Sequence, residues 1–317
     1  MPLIFVAVVG GANMDIVART HGEAITGDST PGQIHCSPGG VARNLAENLA
    51  RLGRHACLIS AVGEDQFGQS LRMATQAAGV DISGVQVLPT MRTATYLSVH
   101  GADGDMSLAV NDMAILEFFT PEFLQSQSAT IGAASALVLD CNLPAPTLAW
   151  LMTQAANVPV FVDGVSAQKC QRLRGLLEGI HTLKVNQLEA QALSGLPTQS
   201  LKGAQAAALA LHQQGVRRVV VSMGAHGVCW CDDAGVVGAC AARPMSVVNS
   251  SGAGDALLAG LVHAHLAEQP MLEAVTFAMA CAELTLGTTF ANHPDLSVSA
   301  VQGWQASKSC QSESTSS

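Results

Sequence analysis

Short apolar runs that alternate with helical patterns constrain this chain more than any other feature. The runs are rich in β-branched residues and occupy 3–9, 56–61, 136–140, 158–163, 182–185 and 218–222. Each is followed by a segment whose apolar residues recur at helical spacing. Alternation of this kind predicts an α/β fold in which a mainly parallel sheet is covered by helices on both faces.

Polar residues follow the predicted strands at several points of the chain. These residues are Asn13 and Asp15, Asp140 and Asn142, Asp163, Asn186 and Glu189, and Ser222 and Gly224. Ligand sites of parallel sheets form beyond the carboxyl ends of the strands. We therefore expect these side chains to meet in one crevice.

One stretch breaks the alternation. The segments 85–88, 93–99 and 107–110, with a turn at 102–105, have the pattern of antiparallel strands and hairpins. A small β-sheet inserted into an α/β domain is the expected form of a lid, which we place in the segments near 13–37 and 85–112. No internal repeat or linker indicates a second domain, so a single domain is predicted over 1–304.

A glycine-flanked turn at 249–255 leads directly into the apolar segment 256–262. A helix that begins there directs the backbone N–H groups of Gly252, Ala253 and Gly254 at the turn, which makes an anion site. Asp255 lies in the first helical turn, where it could accept a proton from a hydroxyl group that attacks a bound phosphate. The alternative is a capped glycine turn in which Asp255 only interacts with the helix dipole.

A second glycine turn at 37–44 opens another helical pattern, which Gly53 ends. The two turns, with Asn44 in the first and Asp255 in the second, resemble the two signatures of the ribokinase-like (PfkB) family of carbohydrate and nucleoside kinases. The resemblance extends from about residue 4 to about residue 301. It implies a three-layer fold with a small β-sheet lid, phosphate transfer to an alcohol, and ATP and Mg²⁺ as cofactors.

Further segments resemble the pseudouridine kinases within this family. They are 38–44, 111–113, 140–142, 158–163 with Ser166 and Lys169, and 181–190. This resemblance implies phosphorylation of the 5′-hydroxyl of pseudouridine, with Asp255 as general base and 252–254 as the anion hole. Three alternatives remain, namely a relative acting on another nucleoside, ribose or a hexose, a non-catalytic ligand sensor of the same fold, and a structural oligomer subunit.

The composition limits the partners and the compartment. The chain has 317 residues, 49% of them apolar, and a net charge of −9, without a cluster of Lys and Arg that would hold a nucleic acid polymer. No apolar run has the length of a membrane span. The nine cysteines show no paired CxxC framework, so we expect a cytoplasmic protein without a membrane partner. Residues 305–317 are polar and are predicted to form a disordered tail.

Asn13 and Asp15 follow the first predicted strand through a Gly-Gly pair. They form either an Asx turn or, as the resemblance implies, a grip on ribose hydroxyl groups. Arg43 is interpreted either as a solvated helix residue or as a substrate contact. The resemblance assigns three further residues to the same sugar, which are Gly39, Gly40 and Asn44.

Asn186 and Glu189 form an N-x-x-E pair at the start of a predicted helix. Their structural role is an N-cap and a capping box, while the resemblance assigns Asn186 to the triphosphate and Glu189 to a water-coordinated Mg²⁺. Asn249 stands where the family often has an aspartate that helps to hold a monovalent cation, which leaves activation by K⁺ open. The resemblance also implies nucleotide contacts in the turns that contain Ser222, Gly224, Gly227 and Ser251.

Polar residues that could read the base lie in the lid and after the strand that ends at Asp163. They are Thr95, Tyr96, Asn111 and Asp112 in the lid, and Ser166 and Lys169 after the strand. Each could instead belong to a lid turn, a helix cap or a solvated surface. The resemblance also implies that the lid pairs with the lid of a second subunit, which would give a homodimer.

Overall fold

The computed structural model describes residues 4–23 and 27–313, with side chains through 307. The strands are β1 (Phe5–Val9), β2 (Asn13–Thr20), β3 (Gly32–Gly39), β4 (His55–Gly63), β5 (Val85–Leu88), β6 (Thr95–His100), β7 (Met106–Asp112), β8 (Ala136–Asp140), β9 (Val160–Asp163), β10 (Ile180–Asn186), β11 (Arg218–Ser222), β12 (Val228–Cys231) and β13 (Val237–Cys240). The helices are α1 (Val41–Arg51), α2 (Gln66–Ala77), α3 (Pro121–Leu124), α4 (Ser128–Ala133), α5 (Ala145–Gln154), α6 (Gln187–Ser194), α7 (Leu201–Gln213), α8 (Ala253–Leu266), α9 (Met271–Leu286) and α10 (Val298–Glu313).

The large sheet has the strand order β13, β12, β11, β10, β9, β8, β1, β4, β5. From β11 through β5 in this order, each strand is parallel to its neighbours. At the opposite edge, the β11–β12 and β12–β13 pairings are the only antiparallel ones among the described strands of this sheet. The predicted α/β fold with a mainly parallel sheet is therefore confirmed.

The central strand β1 shows why the sheet lies between two layers of helices. Val6 and Val8 belong to a core that includes residues of α1, α8 and α9, whereas Ala7 and Val9 belong to the core that includes residues of α5, α6 and α7. All four side chains are fully buried. A strand that is buried on both faces has an uninterrupted apolar sequence, which is the pattern typical of parallel sheets.

The lid is a separate sheet with the strand order β3, β2, β6, β7. Strand β2 pairs antiparallel with β3 and parallel with β6, and β6 pairs antiparallel with β7. The prediction that 85–88 belongs to the lid is wrong, because β5 pairs in parallel with β4 at the edge of the large sheet. Val85 packs there against the core that contains Val6 and Val8. Residues 24–26 of the predicted lid segment lie outside the described residues.

The chain after Trp304 is not disordered as far as the structure describes it. Helix α10 continues to Glu313, so the predicted tail is helical over 305–313, while 314–317 lie outside the described residues. Val301 is fully buried and the indole N–H of Trp304 donates to Glu283 at 2.8 Å. Once a helix is anchored in this way, each further residue adds a hydrogen bond, so the helix extends through polar residues at little cost in free energy. Within the described residues, no helix is long and apolar enough to cross a membrane.

Candidate active site

The glycine turn before α8 forms the predicted helix N-terminus. Gly252 is the N-cap residue with a left-handed φ of 77°, and a Cβ atom at this position would collide with the backbone of Ala291. Only glycine fits this close approach. The N–H groups of the first helical turn have no partner inside the helix and carry the positive end of its dipole. Ala253 and Gly254 line a cavity of about 590 Å³, so the N-terminus opens into a space that can hold an anion.

Asp255 lies in the first turn of α8 and is only 8% exposed. Its Oδ2 atom accepts a hydrogen bond of 2.8 Å from the Nδ2 atom of Asn44. Burial, followed by the negative charge of Asp163, raises the pKa of Asp255 to about 8, although Asn44 and Lys184 act in the opposite direction. A buried carboxyl group with a pKa near neutrality is suited to take up a proton during a reaction.

Lys184 lies close to Gly254 in the first turn of α8, beside the predicted anion site, and sequence reasoning missed it. Its Nζ atom is 3.0 Å from Oδ2 of Asp163 and would be 2.6 Å from a Cβ atom at Gly254. Burial lowers the pKa of Lys184, but the charges of Asp163, Glu189 and Asp255 outweigh burial and leave the pKa above its ordinary value. Lys184 is therefore a buried cation. The available signal was a single charged residue between the buried strand residues Leu183 and Val185.

The predicted sugar-binding pair stands on the first lid strand. Asn13 and Asp15 belong to β2, so the interpretation as an Asx turn is wrong. The Nδ2 atom of Asn13 donates to Oδ1 of Asp15 at 2.5 Å. Burial raises the pKa of Asp15, while Asn13 and the charge of Arg43 lower it. The carboxyl group lies so close to Gly39 on β3 that a Cβ atom there would collide with it.

The first turn of α1 is held against the end of β1 by a buried carboxylate. Asp140 is fully buried and accepts the N–H groups of Gly11 at 2.9 Å, Ala42 at 3.1 Å and Asn142 at 2.8 Å. Gly40 precedes α1 with a φ of 99°, and a Cβ atom there would lie 2.5 Å from the carbonyl oxygen of Gly11. Asp140 thus joins the start of the lid to the start of α1, which carries Asn44.

The two faces of the lid have different chemistry. In the strand register, Asp15 lies opposite Tyr96, and Tyr96 lies opposite Asn111, which puts these three residues on one face. Thr95 and Asp112 lie on the other face and line a cavity of about 600 Å³ beside the start of α2. This geometry does not support a contact of Thr95 and Asp112 with a ligand beside Asp15, because successive strand residues alternate between faces.

Ser166 and Lys169 follow β9 in a turn that is tied to the end of β8. The Nζ atom of Lys169 donates to Oδ1 of Asn142 at 2.5 Å, and burial lowers the pKa of Lys169. The hydroxyl group of Ser166 accepts the N–H of Lys169 at 3.2 Å, as a helix cap does. Arg172 donates to three consecutive carbonyl oxygens, those of Cys141, Asn142 and Leu143. The turn is therefore firmly held at the carboxyl edge of the sheet.

The structure confirms the capping box at the start of α6. Asn186 accepts the N–H of Glu189 at 3.0 Å, and a carboxylate oxygen of Glu189 accepts the N–H of Asn186 at 2.9 Å. The second oxygen of Glu189 accepts from the Asn186 amide at 2.5 Å. Burial raises the pKa of Glu189, and Lys184 lowers it. Both carboxylate oxygens thus have protein partners before any ligand is considered.

The predicted nucleotide turn shares the cavity of about 590 Å³ with the start of α8. Its lining includes Ser222, Gly224, Gly227, Ala253 and Gly254. The turn also forms the hairpin between β11 and β12, so both interpretations of its glycines hold. Ser251, by contrast, is not part of the lining; its N–H donates to Oδ1 of Asn249 at 3.0 Å. The Asn249 amide also donates to the carbonyl oxygen of Thr289 at 3.1 Å.

The acidic residues near the anion site suit a metal ion that is held mainly by other ligands. No group of three or more His, Cys, Asp or Glu side chains with metal-binding geometry occurs in the described part of the chain. Glu189 lies in the same charged cluster as Lys184 and Asp163. Mg²⁺ commonly keeps several waters and binds through one carboxylate and substrate phosphates. The residues present fit an ion of that kind, and they do not fit an all-protein cage.

Comparisons with known proteins show the family and the fold. The sequence profile described as "pfkB family carbohydrate kinase" matches residues 3–297. The chain is 43% identical to the pseudouridine kinase of Escherichia coli over 94% of this chain and 95% of that one. It is 26% identical to the guanosine-inosine kinase of Exiguobacterium acetylicum, over 90% and 95% of the two chains. The structure of Arabidopsis thaliana ribokinase complexed with ribose and ATP superposes with a TM-score of 0.86 at 23% identity, covering 95% of this chain and 98% of that chain, which shows the same fold.

Proposed function

The chain belongs to the pfkB family of carbohydrate kinases, and on this premise we propose that it transfers the γ-phosphoryl group of ATP to the 5′-hydroxyl of pseudouridine. One observation carries the chemistry: a buried carboxyl group, Asp255, stands in the first turn of a helix whose N-terminus opens into a cavity above a buried cation, Lys184. The 43% identity to a pseudouridine kinase over nearly the full length of both chains supports the choice of acceptor.

On the acceptor side, Asn13 and Asp15 hold the ribose hydroxyl groups through their paired amide and carboxylate. Gly39 and Gly40 let the sugar approach the backbone, and Asn44 contributes a polar contact beside Asp255. The 5′-oxygen attacks the γ-phosphorus atom, the bond from that phosphorus to the β-phosphate bridge breaks, and the hydroxyl proton passes to Asp255. ADP leaves, so atoms and charge balance. Most of the rate enhancement then comes from positioning.

Charge on the transferring group is stabilised by the N–H groups of Gly252, Ala253 and Gly254. Lys184 lies beneath Gly254 and adds a fixed positive charge that requires no rearrangement during the reaction. Preorganised donors in a buried site are among the largest contributions to catalysis. Lys184 thereby adds one side chain to an anion hole formed by three backbone groups.

ATP would occupy the cavity that joins the nucleotide turn to the start of α8. Ser222, Gly224 and Gly227 would approach the nucleotide there, and Asn186 would contact the triphosphate. Ser251 lies outside the lining of this cavity, so we do not assign it a contact. When bound, Mg²⁺ would neutralise phosphate charge, and Glu189 would hold it through water. The side-chain amide of Asn249 accepts from Ser251 in its own loop and donates to Thr289 in the segment after α9. We therefore do not assign Asn249 to a K⁺ site, and any monovalent cation would need other ligands.

The base of the nucleoside would lie between the lid face that carries Asp15, here called the inner face, and the turn after β9. Asn111 and Tyr96 share the face of Asp15, and Lys169, next to Ser166, is tied to Asn142 at the end of β8. In pseudouridine, N1–H is a donor that uridine lacks. An acceptor placed for this donor would be left unpaired by uridine, and that penalty favours pseudouridine.

The outer lid face supports the predicted homodimer. Ile34 is 73% exposed and Leu108 is 58% exposed, and both lie on the face opposite Asp15 in the strand register. An apolar face of a four-stranded sheet that is exposed in one chain is suited to pack against the same face of a second copy. We infer that the protein acts in the cytoplasm, where ATP is supplied and where thiols such as that of the exposed Cys36 stay reduced.

Phosphate transfer from ATP tests this function directly. The purified enzyme would be offered pseudouridine, uridine, guanosine, ribose and a hexose, and the position of the new phosphate would be read by ³¹P and ¹H NMR. We expect pseudouridine to be the preferred acceptor and its 5′-oxygen to carry the phosphate. Preference for guanosine or ribose would be consistent with the family but would exclude pseudouridine as the acceptor. Nucleoside binding without turnover would favour a ligand sensor.

A further inference from the structure

Arg43 is one of the most completely engaged side chains beside the site. It is 5% exposed, so its interpretation as a solvated helix residue is wrong. It forms an ion pair with Glu47 one turn later in α1. Its remaining donors reach the hydroxyl group of Thr75 at 3.3 Å and the carbonyl oxygen of Pro38 at 3.4 Å. A buried guanidinium group with this many acceptors is rigid, because each bond restricts the planar fork in another direction.

The same guanidinium group contacts the side-chain amide of Asn44, which donates a hydrogen bond to the proposed general base, Asp255. Its Nη1 atom lies 3.1 Å from Oδ1 of Asn44 and 3.2 Å from Oδ1 of Asn292. Asn292 in turn donates through its amide to the backbone carbonyl oxygen of Asn44 at 2.9 Å. Asn44 is thus held from its side chain and from its backbone, and its remaining amide group donates to Asp255.

An asparagine amide can be turned over without changing its shape, which exchanges its oxygen and its nitrogen. Arg43 has only donors, so it donates to the oxygen of Asn44 and cannot pair with the nitrogen. The NH₂ group of Asn44 is then the end that faces the Asp255 carboxylate. In the reverse orientation the amide oxygen would face the carboxylate, and two acceptors would be in contact.

We propose that Arg43 is a positioning residue that fixes the orientation of the Asn44 amide, so that Asn44 donates a hydrogen bond to Asp255. The proposal rests on the role of Asp255 as general base in the proposed function. Because this hydrogen bond stabilises the ionised form of Asp255, losing it would keep the base protonated to higher pH. The other charged groups around Asp255 are Asp163, Lys184 and Asp140, and none of them changes when Arg43 is replaced.

The test is the pH dependence of kcat/KM for the phosphate acceptor. In Arg43→Lys, a single ammonium group keeps the charge near Glu47 but cannot reach Glu47 and Asn44 with the same fork. We expect the limb on which activity rises with pH to move upward by about one pH unit, the size expected for losing one hydrogen bond to a charged group. We expect kcat at neutral pH to fall about tenfold and KM for ATP to stay unchanged.

Arg51→Met is the matched control. Arg51 contacts the same Glu47 carboxylate at 2.8 Å from the next turn of α1 and also reaches the carbonyl oxygen of Pro294, but it has no bond to Asn44. Its replacement disturbs the Glu47 cluster without freeing the amide, so the limb should stay in place. If the pH limb of Arg51→Met shifts as far as that of Arg43→Lys, the proposal is overturned, because the shift would then result from a general disturbance of α1 and not from the loss of the contact with Asn44.

A double-mutant cycle tests whether Arg43 acts through Asn44. Asn44→Ala should move the limb by itself, and adding Arg43→Lys should move it no further. Additive shifts, or an unmoved limb in a folded Arg43→Lys protein, would overturn the proposal. If Arg43→Lys does not fold, the pair Arg43→Met with Glu47→Met removes both buried charges together, and the same shift is expected. Profiles are measured with whichever acceptor of the panel the wild type phosphorylates, so failure of pseudouridine would reject the proposed substrate without affecting this test.

Discussion

The substitution Asp255→Asn separates the chemical role of this carboxyl group from its cost to the fold. Asparagine has nearly the same shape and can still accept the hydrogen bond from Asn44, but it cannot take up a proton. We expect kcat to fall by ~10²-fold or more, as for the loss of a general base. Binding of nucleoside and of ATP should stay nearly unchanged, because neither depends on a proton at this atom.

The same substitution is expected to stabilise the folded protein at neutral and alkaline pH. In the unfolded chain, Asp255 ionises near the ordinary pKa of 3.8, whereas in the folded protein burial and Asp163 raise this pKa to about 8. Between these pH values the folded state binds the proton that the unfolded state has lost. The free energy of unfolding of the wild type therefore falls by about 1.4 kcal/mol per pH unit through this group. The variant does not titrate there, so its advantage grows to several kcal/mol near pH 8.

Two measurements check this prediction, namely urea unfolding at pH 5 and pH 8 and steady-state phosphate transfer at pH 8. Asp233→Asn is the control, because Asp233 lies outside the site. Burial is the largest single influence and raises its pKa, but Arg218 and Arg217 together outweigh burial and lower the pKa below its ordinary value. That variant should lose a small amount of stability at both pH values. Wild-type turnover in Asp255→Asn would refute its role as base. A stability difference that does not grow from pH 5 to pH 8 would refute the argument from burial.

Four further predictions concern the parts of the site around the base. In calorimetry, Asp15→Ala should weaken nucleoside binding by about 1–3 kcal/mol and leave ATP binding unchanged; equal nucleoside affinity would limit Asp15 to a structural role in the lid. Lys184→Met should lower kcat by ~10²-fold, and a wild-type kcat in the folded variant would remove Lys184 from the anion hole. With pseudouridine and uridine in equal concentration, pseudouridine should be consumed much faster, and comparable rates would reject it as the specific acceptor. In analytical ultracentrifugation, Leu108→Asp should shift a dimer to monomer while Val236→Asp, at an equally exposed valine outside the lid, should not; dimers that persist in Leu108→Asp would contradict the lid interface.

Features that depend on near neighbours in the sequence could be predicted from it. The turn at Gly252 places Asp255 in the first turn of α8 because the intervening residues set the backbone path. The capping box of Asn186 and Glu189 forms within four residues. The parallel sheet was predictable because strands buried on both faces need uninterrupted apolar runs. These features require no knowledge of what lies across the fold.

The lid shows where local patterns stop being sufficient. The pairing of β5 with β4 depends on which sheet edge is free, and the sequence of 85–88 suits either edge. Which of Asn111 and Asp112 shares the face of Asp15 depends on the strand register, since a shift by one residue exchanges the two faces. Helix α10 depends on the contact between Trp304 and Glu283 of α9, which no pattern within the last segment contains.

The sequence by itself therefore determined the class of fold, the glycine turn that opens α8 and the identity of the proposed base. Only the tertiary structure decided the surroundings that give this base its properties. Lys184 reaches Gly254 of α8 from strand β10, and Asp163 adds its charge from strand β9. Arg43 of α1 contacts Asn292, which lies 249 residues later in the sequence. The physical reason is that backbone geometry is set by neighbouring residues, whereas burial and electrostatic environment are set by whatever distant segments the fold brings into contact.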